Sequence, residues 1–262
     1  MNLVGQASLL VNFPVAASAI GAVVAAVRPP GPRVVSGVQH FAAGVVMAAL
    51  VGEIMPELRA EGHLAWAVGG FVAGTALVLA LGAYGRHQEA HAAGEIPPHP
   101  PRFGSWRRQA VQAAAARTLP VGMLAAVAID LLLDGVLVGL GVRLGTTQGV
   151  ILTIALTLEI LFLGLSVVSE LHESGLAKRH AVLLTVGLGL TTAVGALGAA
   201  IFLGDVPTTV MSAVLAFGAA ALLYLVVEEL LVEAHEERES VTLGAMFFLG
   251  FLVIYVLSSM EL

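Results

Sequence analysis

Residues 128–139 read AIDLLLDGVLVG and place Asp130 and Asp134 four residues apart in an otherwise apolar stretch. The stretch predicts part of a transmembrane helix, in which residues i and i+4 project from the same face. No Lys or Arg lies at a comparable depth to neutralise the two acids. A carboxylate at the bilayer centre costs about 2.5 to 3.5 kcal/mol, so such side chains normally face a bundle interior, a partner or a water-filled path.

The rest of the chain also has the composition of an integral membrane protein. Of its 262 residues, 58% are hydrophobic and 11% are charged, whereas soluble domains have about 45–50% apolar and about 25% charged residues. Apolar stretches recur from end to end, which predicts one all-α transmembrane domain over residues 1–262 and no separate soluble domain. There is no cysteine, so the protein has neither a disulfide nor a thiolate metal site.

Eight segments are near the roughly 20 residues that cross about 30 Å of hydrocarbon, and they predict an eight-helix bundle. Their predicted limits are 7–27, 36–58, 63–84, 119–142, 147–170, 181–204, 207–232 and 242–259. Glycines in such segments favour close packing of membrane helices. Those expected to do so are Gly135, Gly139, Gly141, Gly164, Gly195 and Gly198.

The basic residues predict how the bundle is oriented. Alternate connections between the segments carry ten of the twelve Lys and Arg residues, and the opposite side has only Arg59 and Arg143. Cytoplasmic loops carry the excess of Lys and Arg. We therefore expect both termini on the extracytoplasmic side of a multi-pass protein of the cell (inner) membrane.

The longest connection, at about residues 85–118, lies on the predicted cytoplasmic side. It contains a proline cluster together with His87, His91 and His99. Three loosely spaced histidines in a proline-rich segment do not form a fixed coordination sphere, although they could hold a metal ion weakly. A flexible solvated linker and a metal-handling loop both remain open.

Further acids enter the membrane in other segments. Glu159 lies in the middle of the fifth, Glu53 in the second before Pro56, and Glu228 toward the end of the seventh. None of these segments has a basic residue at comparable depth, so protons or bound cations must supply the positive charge. The predicted metal ligands are Asp130, Asp134, Glu159, Glu53 and Glu228. The alternative for the aspartate pair is that both stay protonated and form hydrogen bonds between helices.

Three residues near the inner ends of the segments could receive an ion that leaves the site: His40, Glu170 and His172. Hydrogen-bonded or solvated residues at a helix end would explain them equally well. The ligand types also bear on the choice of metal. Without cysteine, and without a histidine in the fourth and fifth segments, the site consists of oxygen ligands, which suit Mn²⁺, Mg²⁺ or Fe²⁺ at least as well as Zn²⁺. Zinc also accepts carboxylates.

This layout resembles the ZIP family of divalent metal transporters, with eight spans, both termini outside and a long His-bearing cytoplasmic loop after the third. The second segment, HFAAGVVMAALVGEIMPEL, looks like the second-span pattern of that family. DLLLDGVLVG falls where its His-Asn-x-Pro-Glu-Gly motif would lie, so Asp130 stands for the histidine and Asp134 for the glutamate. The fifth-span His-Glu-x-x-His-Glu pattern is reduced to Glu159.

The resemblance implies a transporter that moves Zn²⁺, Fe²⁺ or Mn²⁺ toward the cytoplasm by alternating access, with the metal as substrate. The sequence contains no nucleotide-binding motif. It also lacks the His-Glu-x-x-His and Gly-x-Ser-x-Gly motifs of hydrolytic enzymes, so we do not expect an enzyme. Expected partners are the lipid bilayer and metal ions but no nucleic acid, and a homodimer is left open. The alternative function is a proton- or Na⁺-coupled transporter of another solute that uses the same carboxylates.

Overall fold

The computed structural model of the protein describes residues 2–94, 121–234 and 240–260, and for residues 84–94 it describes the backbone only. All regular elements in these ranges are helices, and eight are long and apolar enough to cross a membrane. These eight spans are Leu3–Val27, Pro32–Ala60, Leu64–Ala83, Gly122–Leu144, Thr146–Glu173, Lys178–Phe202, Thr208–Glu228 and Val241–Ser259. The predicted all-α membrane fold and the number of spans are confirmed.

Most spans are single helices whose limits agree with the predicted segments to within a few residues. The first span consists of two helices, Leu3–Leu10 and Asn12–Val27. The third, fourth, fifth, sixth and eighth spans are the helices Leu64–Gly94, Val121–Leu144, Thr146–Glu173, Lys178–Phe202 and Val241–Ser259. The helix of the third span continues to Gly94, so the predicted long connection begins with helical residues.

Two spans contain a π-helical turn. In the second span, the π turn Leu50–Ile54 separates the helices Pro32–Ala49 and Met55–Glu61. Pro56 follows this turn and has no N–H to donate to the preceding turn, which explains a break here. In the seventh span, the π turn Leu225–Leu230 separates Thr208–Tyr224 from Leu231–Ala234.

Two turns between spans depend on glycine. Gly62 ends the second span with a φ of 71°, and Gly175 follows the fifth span with a φ of 93°. Other residues rarely adopt this left-handed conformation, which commonly ends a helix. Both glycines therefore let the chain reverse direction at the membrane surface.

The fourth, sixth, first and fifth spans form one interlocked group. The fourth packs most extensively on the sixth, and the first on the fifth. A Cβ atom at Gly135 would overlap the carbonyl oxygen of Thr192, and one at Gly21 would overlap that of Leu161. Such backbone-to-backbone approach is what small residues permit in membrane helices.

The second, eighth, third and seventh spans form the other group. The second packs on the eighth and the third on the seventh. A Cβ at Gly44 would overlap the carbonyl oxygen of Phe247, and one at Gly70 would overlap that of Ala213.

The close approach expected at the glycines of the fourth and fifth spans is present, but one of the two sixth-span glycines does not take part. A Cβ at Gly195 would overlap a backbone oxygen of the fourth span, whereas a Cβ at Gly198 would meet no atom within 4 Å. The expectation for Gly198 is therefore wrong, because this glycine faces away from the neighbouring backbones.

Candidate metal centre

The fourth span presents two carboxylates on one face of an uninterrupted helix. Asp130 and Asp134 lie in Val121–Leu144, one turn apart. Asp134 is only 2% exposed and Asp130 is partly buried. The surrounding sequence is rich in Leu, Val and Ala, so the helix forms around these acids without a break.

Glu159 brings a third carboxylate from the middle of the fifth span and is 3% exposed. One carboxylate oxygen from each of Asp130, Asp134 and Glu159 lies within 4.8 Å of the other two. Oxygen ligands of one divalent ion lie at about 2.0–2.6 Å from it, so their mutual separations reach about 4–5 Å. The three acids, which we call the carboxylate cluster, are therefore close enough to bind one ion.

Close helix packing places the cluster. Near the connection between the fourth and fifth spans, a Cβ at Gly141 would lie 3.1 Å from the Cα of Gly149. This approach holds together the two helices that carry the carboxylate cluster. On the other side of the fourth span, the Thr191 hydroxyl donates a hydrogen bond of 2.7 Å to the carbonyl oxygen of Leu188 in its own helix, and it lies 3.3 Å from the carbonyl oxygen of Ala128. The sixth span thus supports the turn that precedes Asp130.

A cavity of about 320 Å³ reaches the cluster. Residues of the third, fourth, fifth and seventh spans line it, and its polar residues are Asp130, Asp134, Ser166, Glu170 and Tyr224. Glu170 is exposed near the end of the fifth span. It lies 11 residues after Glu159, which corresponds to about 16 Å along the helix and nearly the same face. The cavity therefore connects the buried carboxylates with one surface of the bundle.

The structure does not bring the other predicted ligands to the cluster. Glu53 is 6% exposed and lies in the π turn of the second span, where its Oε1 accepts a 2.6 Å hydrogen bond from the Ser258 hydroxyl. Glu228 lies in the π turn of the seventh span and is exposed. Neither belongs to the group of acids that lie within ligand distance of one another.

The predicted exit residues have separate surroundings. Glu170 lines the cavity. His40 is 5% exposed, and its Nδ1 lies 2.8 Å from the carbonyl oxygen of Ser36. A carbonyl oxygen only accepts, so this nitrogen carries the proton and donates. His172 is exposed, and its Nδ1 lies 3.0 Å from the carbonyl oxygen of Leu176.

The three predicted loop histidines lie at or beyond the edge of the described residues. His87 and His91 are in the helical continuation of the third span, one turn apart, where only the backbone is described. His99 lies outside the described residues. Their predicted metal handling stays a prediction.

Sequence reasoning missed two polar residues of the cavity, Ser166 and Tyr224. Ser166 could have been found, because it lies seven residues after Glu159 and four before Glu170, which places all three on one helical face. Tyr224 carries no charge and stands among apolar residues of the seventh span. No pattern in the sequence distinguishes it from a packing residue.

Comparison with known proteins gives one finding about the family. A search of curated proteins found no match to this chain. The family model of the ZIP zinc transporters matches residues 82–258, which include all three acids of the carboxylate cluster and more than half of the chain. With eight membrane-crossing helices and a buried acidic centre on its fourth and fifth spans, the chain belongs to the ZIP zinc transporter family.

Proposed function

We propose that this protein carries Zn²⁺, Fe²⁺ or Mn²⁺ across the membrane toward the cytoplasm by alternating access, with the carboxylate cluster as the transport site. The observation that supports this most is the approach of three carboxylate oxygens from two spans to within 4.8 Å. Asp134 and Glu159 are almost fully buried. Membership of a family of metal transporters makes a metal ion the natural counter-charge.

The charges of the cavity support a cation as the substrate. None of the described residues that line it is Lys or Arg, whereas three of them are acids. A buried carboxylate without a compensating charge is costly, so an ion that binds here replaces a proton or relieves the repulsion between like charges. The inward gradient of the metal, or exchange against protons at the carboxylates, supplies the energy.

The cavity supports a release route that runs past Ser166 to Glu170. The fifth span ends at Glu173, on the same membrane side as the end of the third span, because successive spans alternate in direction. That side carries most of the basic connections, which we take as cytoplasmic. The cavity is then open to the cytoplasm. In this proposal Glu53 and Glu228 are not ligands, because they lie outside the cluster.

The packing of the two groups of spans supports a movement of one against the other. Within each group, glycines bring backbones into direct contact. Gly218 of the seventh span lies at a contact between the two groups. A Cβ there would meet only the flexible side chain of Leu137 in the fourth span and no backbone atom. At this point the two groups meet through a flexible side chain and not through interlocked backbones. We propose that the first, fourth, fifth and sixth spans move together, with the ion bound to them.

The substitution Asp134→Ala tests the site. The purified variant in liposomes should take up no metal, because it lacks one ligand and its cluster has lost a charge. Asp205→Ala is a matched control, since Asp205 is an exposed acid between the sixth and seventh spans. Expression and gel filtration report whether each variant is folded. Uptake at the wild-type rate by a folded Asp134→Ala variant would remove the cluster from the proposal.

The same liposomes distinguish the alternative function. A pH-sensitive dye inside them reports proton movement, while a panel of divalent metals and Na⁺ reports the transported ion. Metal-independent proton or Na⁺ movement that disappears in Asp134→Ala would favour the coupled transporter of another solute.

We also propose that both termini are extracytoplasmic in the inner cell membrane. The chain has no cysteine, so single cysteines can be introduced without a background. Gly31→Cys, between the first and second spans, should be protected from an impermeant thiol reagent in intact cells. Asp205→Cys should be labelled. The reverse labelling pattern would show that both termini are cytoplasmic and that the cavity opens to the extracytoplasmic side.

A further inference from the structure

The geometry points to a binding surface for the phosphate headgroup of an anionic phospholipid, at one end of the first and sixth spans. Three exposed cations form this surface, and we call them the cationic patch: Arg28, Lys178 and Arg179. The inference goes beyond the proposed transport and does not depend on it, because it concerns the lipid around the bundle and not the ion inside it.

A contact between two connections brings the cations together. The Lys178 Nζ donates a 3.0 Å hydrogen bond to the carbonyl oxygen of Ala26, which lies in the last turn of the first span. Arg28 follows Ala26 by two residues, and Arg179 directly follows Lys178. The first and sixth spans also pack on each other. All three cations therefore lie at the same end of one pair of spans, at the membrane surface.

The two connections do not neutralise the charge of the patch. Residues 27–33 and 174–180 contain four Lys and Arg residues and no Asp or Glu. The helix of the sixth span begins at Lys178 without a side-chain cap and without an acid in its first turn, so its dipole adds to the positive potential. The acid nearest in sequence is Glu173, which lies nine residues after Gly164, a glycine packed on the first span. Nine residues make about two and a half turns, so Glu173 lies on the opposite face of its helix.

Arg33 carries the fourth charge but is not part of the patch. Three residues after it, the Ser36 Oγ donates a 2.7 Å hydrogen bond to the carbonyl oxygen of Ala234. Glu233 directly precedes Ala234 in the sequence. The start of the second span is therefore next to an acidic helix end, which does not favour an anion.

The face of the bundle below the patch is apolar and exposed, which favours a lipid over a soluble anion. Val24 and Val27 are exposed in the last turn of the first span. In the sixth span, Leu183 and Leu190 are exposed and lie four and eleven residues after Arg179, on the same helical face. An acyl chain can lie on this face while the phosphate meets the cations. Guanidinium groups match the oxygen atoms of a phosphate, and Lys and Arg at the membrane surface attract anionic lipids.

Fluorescence quenching by brominated lipids tests the inference. The chain has no cysteine, so Leu183→Cys of the full-length protein can carry a single bimane label, about 6 Å along the helix from Arg179. In vesicles, brominated phosphatidylglycerol should quench this label at a lower mole fraction than brominated phosphatidylcholine with the same acyl chains. Leu190→Cys provides the same test if Leu183→Cys does not fold. Phe248→Cys is the matched probe, because Phe248 is exposed on the eighth span at a similar distance from the same membrane side.

Substitutions in the patch should reduce the preference for phosphatidylglycerol. Arg28→Gln and Arg179→Gln should each lower it about fivefold at the Leu183→Cys label, which is the effect of one Lys or Arg near an anionic lipid surface. Arg59→Gln is the matched charge control, because Arg59 is exposed at the opposite membrane side. It should leave the preference unchanged. Circular dichroism reports whether each variant is folded.

Four results would overturn the inference. The first is equal quenching by the two lipids at Leu183→Cys, and the second is the same preference for phosphatidylglycerol at Phe248→Cys. The third is an unchanged preference in folded Arg28→Gln and Arg179→Gln variants. The fourth concerns soluble glycerol phosphate, which should not compete with the lipid because it lacks acyl chains. Competition by it as strong as that by the lipid would show a site for soluble anions instead.

Discussion

The contact between the fourth and sixth spans makes a sharp prediction about stability, because two glycines three residues apart on one helix differ in their surroundings. A Cβ at Gly195 would overlap the carbonyl oxygen of Leu132, and it would lie 2.9 Å from the Val136 nitrogen and 3.1 Å from the Gly135 carbonyl carbon. A Cβ at Gly198 would meet no atom within 4 Å. We predict that Gly195→Ala destabilises the protein and that Gly198→Ala does not.

The magnitude follows from two opposing effects. Alanine is a better helix former than glycine by about 1 kcal/mol, and this gain is common to both variants. Favourable contacts between carbon atoms lie at about 3.5–4.0 Å, so the spans must separate to admit the methyl group that Gly195→Ala introduces. All three close neighbours are backbone atoms that no side-chain rotation can remove. Overpacking costs about 1–3 kcal/mol, which is the expected difference between the variants.

Thermal unfolding of the purified variants in one detergent, followed by circular dichroism, measures this difference. For a chain of this size, about 2–4 °C corresponds to 1 kcal/mol, so the apparent midpoint of Gly195→Ala should lie about 2–12 °C below that of Gly198→Ala. Metal uptake by Gly195→Ala should fall as well. Gly135 lies in this contact and directly follows Asp134 in the sequence, so a shift of the contact also moves Asp134. Equal midpoints and equal uptake for the two variants would refute the interlocked arrangement of these spans.

Three further predictions concern polar groups. Ser258→Ala removes the donor of the 2.6 Å hydrogen bond to Glu53 and should lower the free energy of unfolding by about 1–3 kcal/mol, measured by thermal unfolding; an unchanged midpoint would contradict it. Thr192→Val should raise the free energy of unfolding by about 1 kcal/mol, because the fully buried Oγ1 of Thr192 has no hydrogen-bond partner among the described residues. A lower unfolding midpoint for this variant would contradict the prediction. Glu170→Gln should slow metal uptake at saturating metal and leave equilibrium binding at the cluster unchanged; weaker binding would make Glu170 a ligand.

The spans could be predicted because each is a long apolar segment, and hydropathy needs no knowledge of neighbours. Their pairing could not, because all eight are similarly apolar and lipid is as apolar as a neighbouring helix. Close packing depends on which glycine faces which backbone. Gly195 and Gly198 look equivalent in the sequence, yet only Gly195 contacts the fourth span.

The carboxylate pair could be predicted from helical spacing, and Glu159 from its depth in the fifth span. Depth alone did not separate these acids from Glu53 and Glu228, because a residue at the right depth can still face any direction around its helix. Both of these glutamates lie in π turns. Each π turn adds a residue and rotates the following face of the helix. Pro56 signals the first turn, but no residue of the seventh span signals the second.

In the proposed mechanism, the placement of the three acids would let an ion cross without losing its contact with them. All three acids belong to the fourth and fifth spans, which lie in one interlocked group. The opposite wall of the cavity comes from the third and seventh spans and, apart from Tyr224, is apolar: Val78, Leu81, Gly82, Ala221, Leu222 and Leu225. A movement of the first group past this wall breaks no bond between the ion and a charged ligand, because the wall offers none. If instead a ligand lay on each group, every cycle would have to break a metal–carboxylate contact inside the membrane, where no water replaces it readily.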